Sequence, residues 1–140
     1  MTDFCENVFH KIIIGELPSY KIYEDDLFLV IMDLYPANLG HCLILPKKPC
    51  VDVFGLDDET AAALYPLAKK IASAVKTATN CDGINIMQNN GKASGQVVFY
   101  FHLHVVPRYD GDGIGWHNAK QKDYSEGQFE EMAEKLVKGL

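Results

Sequence analysis

The residues best suited to chemistry crowd into one stretch of this 140-residue chain, Gly95-Gln96-Val97-Val98-Phe99-Tyr100-Phe101-His102-Leu103-His104-Val105-Val106-Pro107-Arg108. Its β-branched and aromatic content predicts a strand over Val97–Arg108. Strand side chains alternate between faces, so Val97, Phe99, Phe101, Leu103 and Val105 form an apolar core face. Gln96, Val98, Tyr100, His102, His104 and Val106 take the other face, with Tyr100, His102 and His104 about 6.5–7 Å apart along it. A neutral imidazole can attack phosphorus, and a neighbouring imidazole can donate to phosphate oxygens or to a leaving group. The same spacing also suits metal ligands or a structural pair, and taken alone it does not choose among them.

The remaining elements must position that strand. A short helix is expected over Asp3–Ile14, ended by Gly15 and Pro18. Tyr20–Glu24 and Leu27–Asp33 read as a hairpin around Asp25-Asp26, without the usual turn glycine, and His41–Leu45 is a further apolar run closed by Pro46. The clearest helix spans Asp58–Thr79, with Asp57 as N-cap and Leu64, Leu67, Ile71 and Val75 at helical spacing. Pro66 inside it implies a kink or a later start. Gly83–Met87 reads as a strand and Gln88–Gly95 as a polar loop. A last helix, about residues 125–140, has Ser125 and Gln128 at capping-box spacing and Phe129, Met132, Leu136 and Leu140 on one face. The pattern is α+β, in a single domain 1–140 with a core over about 5–117.

Composition narrows the function classes. A formal charge of -6 argues against a nucleic-acid polymer as partner, because backbone binding needs accumulated Lys and Arg. A small phosphate ligand needs only a local patch of donors. No apolar run approaches the roughly 20 residues that span a bilayer, so no membrane partner is expected. Cys5, Cys42, Cys50 and Cys81 show no paired redox or metal spacing, and the first residues are too polar for a secretory signal, which fits a cytoplasmic protein.

Val-Val-Pro-Arg after the two histidines, Gly-Gln before them and Asn89-Asn90-Gly91 upstream together resemble the histidine triad (HIT) family. The resemblance extends through Asn38-Leu39-Gly40-His41-Cys42-Leu43-Ile44-Leu45-Pro46, Met32-Asp33-Leu34 and Phe9-His10-Lys11-Ile12-Ile13, covering roughly residues 5–117. It implies a five-stranded antiparallel sheet with one long helix and a C-terminal helix, paired into a homodimer whose sheet continues across the interface. It also implies cleavage at the α-phosphate of a purine nucleotide, in phosphoramidates, nucleotidyl esters or dinucleoside polyphosphates. By the same resemblance His102 is the nucleophile, His104 contacts phosphate and the leaving-group side, and His41 supports the triad strand. Gln96 and Asn89 are polar ligands of the ribose-phosphate region, Asp33 binds ribose hydroxyls, and Phe9, Ile12 and Leu34 wall the base.

Two departures stand out. Tyr100 replaces the first triad histidine, keeping ring volume and a hydrogen bond but not an imidazole, so it is expected to support the site without being the nucleophile. Val97 stands where many relatives have Ser or Thr, removing a hydroxyl. Some bacterial relatives hold zinc through an N-terminal C-x-x-C and the first triad histidine. The matching positions here are Asn7, His10 and Tyr100, so no zinc site and no required cofactor are expected. A nucleotide-binding or protein-interaction module with little turnover is the alternative, and a metal-binding protein a third. On the residues alone, His41 reads equally as a buried histidine, Asn89-Asn90-Gly91 as a tight turn, Asp33 as a strand end, and Phe9, Ile12 and Leu34 as core. His10 and His117 have no partner visible in the sequence, and Trp116 is expected to pack on a dimer partner or edge the pocket.

Overall fold

The computed structural model describes residues 3–115 and 123–140. The expectations for Trp116 and His117 lie outside the described residues. Five strands form one antiparallel sheet in the order β1-β2-β3-β5-β4, comprising β1 (Lys21–Glu24), β2 (Phe28–Met32), β3 (Cys42–Pro46), β4 (Gly83–Met87) and β5 (Leu103–Arg108). The β1–β2 turn needs no glycine because Asp25 closes it: its carboxylate accepts from the amides of Leu27 and Phe28, each at 2.8 Å, and its own amide donates to the Phe28 carbonyl.

Both faces of the sheet are covered. On one, Phe28, Val30, Met32, Ile44, Leu103 and Val105 form a core with two helices, α2 (Asp58–Thr79) and α3 (Glu126–Lys138). Asp57 caps α2 by accepting from the Thr60 amide at 2.8 Å, and Leu64, Leu67, Ile71 and Val75 are buried as their spacing predicts. The helix begins at Asp58 and continues through Pro66 rather than starting after it. Pro66 and Ala62, whose carbonyl the proline leaves without its helical donor, are both exposed, so water can satisfy that carbonyl. The capping box of α3 forms, with the Ser125 hydroxyl accepting from the Gln128 amide and the Gln128 side chain accepting from the Ser125 amide. Phe129, Met132 and Leu136 are buried, but the helix ends at Lys138 and Leu140 stays exposed.

On the opposite face Leu29, Ile31, Leu43, Leu45 and Tyr100 pack beneath the N-terminal segment, through Ile12 and the partly buried Phe4, Phe9 and Ile13. That segment carries α1 (Val8–Ile13), shorter than the predicted Asp3–Ile14. The Asn7 side chain accepts from the Phe9 and His10 amides, which fixes the helix start five residues later than the composition suggests.

The largest departure concerns the strand expected over Val97–Arg108. Only Leu103–Arg108 is strand, and residues 96–102 are irregular backbone. Phe101, Leu103 and Val105 join the core as the alternation predicts, whereas Val97 is 84% exposed and Phe99 44%. Tyr100 lies on the predicted face, but that face is covered and Tyr100 is wholly buried.

Candidate active site

The three histidines converge where β3, β5 and the irregular segment before β5 meet. His104 lies in the sheet, paired with Leu43 of β3 and Met87 of β4, while His41 immediately precedes β3 and His102 immediately precedes β5. The rings of His102 and His104 meet edge to face at 4.8 Å between centroids. His41 Nε2 lies 2.9 Å from His104 Nδ1, a hydrogen bond. Phe9, on α1, packs edge to face on His102 at 4.9 Å, so the nucleophile candidate is walled on one side by the N-terminal helix.

The state of His102 follows from its one hydrogen bond among the described residues. Nδ1 lies 2.6 Å from the Tyr100 carbonyl oxygen, which can only accept, so Nδ1 carries the proton and Nε2 holds the free lone pair. Burial lowers the His102 pKa, opposed by that carbonyl and by the Asp33 charge. Burial lowers His41 to about 4 and, with its histidine neighbours, His104 to about 3. The site therefore holds neutral imidazoles at neutral pH. Asp33 Oδ2 is 3.6 Å from His41 Nε2, a spacing that would make an ion pair only with a protonated ring. With His41 neutral it is a carboxylate facing an imidazole edge. Asp33 also accepts from the Tyr35 amide at 2.9 Å, and burial raises its carboxyl above the ordinary value.

The other expected ligands are distributed unevenly. Asn89 makes no side-chain hydrogen bond among the described residues, and its amide lies over Gly95, whose φ of +103° suits glycine. Gln96 is 3% exposed and committed elsewhere. Its oxygen accepts from the Gly91 amide at 2.7 Å, and its amide nitrogen donates to the carbonyls of Val51 at 2.7 Å and Val98 at 3.2 Å. Here it is bonded on both sides to the main chain of the loop and of the neighbouring segment. Of the expected base walls, Phe9 reaches His102, Ile12 is buried against the sheet, and Leu34 stands exposed. Two surface concavities of about 420 and 460 Å³ lie elsewhere, and no histidine lines either.

Tyr100 supports this site in a way that its expected projection beside the histidines does not convey. Its carbonyl holds His102, and its buried hydroxyl donates to the Pro46 carbonyl at 2.5 Å, tying the segment that carries His102 to the end of β3. The sequence reading missed the segment 50–53, which holds the irregular stretch through two bonds and the loop before it through a third. Phe101 donates its amide to the Cys50 carbonyl, Gln96 donates to Val51, and the Asn90 side chain accepts from the Val53 amide. No local pattern marks Cys50–Val53 for this, since its contribution is main chain.

Two sets of residues bear on metal binding. Asn7 is spent on capping α1, and Tyr100 on Pro46, leaving His10, whose Nδ1 is buried without a partner, as the lone donor where zinc would need four. Asp33, His41 and His104 bring ligand atoms within 4.8 Å of one another. In the metal-free site the 2.9 Å bond between the two rings places a proton on one of those nitrogens, which a bound ion would displace.

The chain and its fold have counterparts among known proteins. A HIT domain profile matches residues 14–111. A HIT-like protein of Borreliella burgdorferi is 38% identical over 128 residues, covering 90% of this chain and 92% of its own. An adenosine 5'-monophosphoramidase of Schizosaccharomyces pombe is 35% identical, covering 78% and 81%. An adenylylsulfatase of Arabidopsis thaliana is 42% identical over 75% of this chain and 53% of its own length. The crystal structure of a HIT-like protein from Bartonella henselae superposes with a TM-score of 0.87 at 37% identity, over the whole of both chains. The chain belongs to the HIT domain family.

Proposed function

We propose that this protein is a nucleotide hydrolase that cleaves at the α-phosphate of a purine nucleotide through a covalent nucleotidyl-His102 intermediate. The observation that carries the reading is the His102 Nδ1–H bond to the Tyr100 carbonyl, which leaves Nε2 unprotonated beside His104. In the first step His102 Nε2 attacks the α-phosphorus and the bond to the leaving group breaks, its electron pair departing with that group. In the second, water attacks the phosphorus, the P–N bond breaks, its pair returns to Nε2, and the water's proton is released with the nucleoside monophosphate. Two moderate displacements replace one difficult one.

The names of the Schizosaccharomyces and Arabidopsis relatives favour phosphoramidates and adenylylsulfate as substrates, with dinucleoside polyphosphates as a further class. Phe9 would flank the base, Asp33 and Asn89 the ribose-phosphate region, and His104 the phosphate. No metal is required in this reading, because the attacking lone pair is supplied by a ring that burial keeps neutral. Pairing through the edge strand β4 would give a homodimer, and the unpaired thiols suit a cytoplasmic protein. A binding module with little turnover is the competing reading, favoured by the inward-turned Gln96 and the exposed Val97.

Rapid mixing with an adenosine phosphoramidate, quenched in alkali and read by intact mass, tests the choice. The wild type should carry one nucleotidyl group, lost in His102→Ala, which should still bind nucleotide. A His102→Ala protein with full turnover would sink the proposal, and nucleotide binding with neither adduct nor turnover would favour the module.

A further inference from the structure

Four large apolar side chains stand in solvent on the two segments that meet before β5. Phe54 is 88% exposed and Val97 84%, with Val53 and Phe99 at 43% and 44%. A single exposed apolar residue is ordinary, but several held in one place form a surface that a ligand can cover. These are held. Phe101 donates to the Cys50 carbonyl at 2.8 Å and Gln96 to the Val51 carbonyl at 2.7 Å, while Asn90 accepts from the Val53 amide at 2.7 Å. The Asp52 carboxylate accepts from the Phe54 amide at 3.1 Å and fixes the turn that presents Phe54. The main chain beneath all four side chains is thus bonded into one unit.

That unit is continuous with the histidine site. Val98, between Val97 and Phe99, packs with Phe9 and Tyr100 in the core beneath α1. Phe9 walls the His102 ring and the Tyr100 carbonyl holds it, so the exposed rim begins where the wall of His102 ends. The rim also lacks the charge that an anion needs. Residues 50–56 and 89–99 carry one charged side chain of each sign, Asp52 and Lys92. Lys47 and Lys48 are paired with Glu24 at 2.8 Å and Asp57 at 3.1 Å, and Arg108 is spent on Asp112 and Asn85. Beyond Leu56 the chain enters α2 through Asp57, Asp58 and Glu59, which repel a phosphate or sulfate.

We propose that Val53, Phe54, Val97 and Phe99 form the subsite for the leaving group, and that this group is an amine carrying an apolar chain rather than a phosphate or sulfate. The subsite takes its purpose from the hydrolase reading, and its four residues determine specificity without touching the bond that breaks. As His102 Nε2 bonds the α-phosphorus, the P–N bond to the amine breaks, its electron pair stays on the amine nitrogen, and that nitrogen takes a proton from solvent. The apolar chain of the amine lies on the rim and removes both surfaces from water. An anionic leaving group gains nothing there, because a valine and a phenylalanine offer no N–H or O–H to replace its hydration.

Calorimetric binding to the His102→Ala protein, which cannot consume the ligand, compares adenosine 5'-phosphoramidate with its N-(2-phenylethyl) derivative. The phenylethyl compound should bind about tenfold more tightly, the effect of taking roughly 55 Å² of apolar surface out of water. Adding Val97→Ser or Phe54→Ala, both at exposed positions that the fold tolerates, should shrink that ratio at least threefold, and Val97→Asp should abolish it. In the wild type, kcat/KM should favour the phenylethyl compound over diadenosine tetraphosphate, and Val97→Ser should narrow the gap. Equal binding of the two phosphoramidates, or a ratio that none of the three variants moves, overturns the subsite. So does a loss of self-association in Phe54→Ala with the ratio intact, which would make the rim a contact between copies. Turnover of both compounds with no preference keeps the hydrolase reading and removes the subsite. The binding preference without turnover in the wild type does the reverse.

Discussion

Mild acid should destabilise this fold well before its carboxylates titrate. His41 and His104 are held neutral at about 4 and about 3, against an ordinary histidine value of 6.5 in the unfolded chain. Between pH 6.5 and 4 the unfolded state therefore binds more protons than the folded one, and stability falls as pH falls, at about 1.4 kcal/mol per unit for each ring. The contribution is fully present above 6.5. From pH 7 to pH 5 the two rings together remove about 4 kcal/mol, a large share of the 5–15 kcal/mol that domains typically hold. His102, also lowered by burial, acts in the same sense, while the raised Asp33 carboxyl acts in the opposite sense. Urea titrations at pH 7 and pH 5 would measure the drop, and His104→Asn, which takes up no proton, should reduce it by about half of the two-ring share. Equal urea midpoints at the two pH values, or an undiminished drop in His104→Asn, would refute the assignment of neutral buried rings.

Two further outcomes follow from Tyr100 and from the zinc-like positions. Tyr100→Phe removes one buried hydrogen bond and should cost about 1–3 kcal/mol, lowering Tm by roughly 3–10 °C, while the nucleotidyl adduct on His102 still forms. An unchanged Tm would show the bond to Pro46 to be idle, and complete loss of the adduct would give the phenol a chemical role. Turnover should survive dialysis against a chelator. Loss of activity that zinc alone restores would mean that His10 and its neighbours hold an ion after all.

The sequence made the regular elements legible because their signals are local. Asp57 before a run of apolar residues at helical spacing, and Ser125 with Gln128, each specify a helix start through bonds that span three residues. The side taken by Tyr100, Phe101, Leu103 and Val105 was also readable from alternation. Alternation failed for Val97 and Phe99 because β-propensity cannot report whether a neighbouring strand is available, and residues 96–102 have the turn-forming segment 50–53 beside them instead. Gln96 was read as a ligand from its resemblance to others, yet a long amide beside a glycine-rich loop can satisfy that loop's own main chain. The pairing of His41 with His104 joins residues 63 apart, and nothing in either neighbourhood encodes its distance.

The bonds from Cys50, Val51 and Val53 to the stretch before β5 also set an order of events for the nascent chain. Asn90 is 37 residues from Val53 and Gln96 is 45 from Val51, and all of α2 and β4 lie within those loops. Closing them costs entropy that only the collapsed sheet and helix can offset, so this patch is ordered late and released early. A refolding molecule should therefore regain its helical signal before it has a correctly aimed imidazole, an order that stopped-flow circular dichroism set against protection of the Phe101 amide would check. Placement of the histidines is thus expected to be a later property of the molecule than compactness, and a probe of these main-chain bonds is the stricter measure of its renaturation.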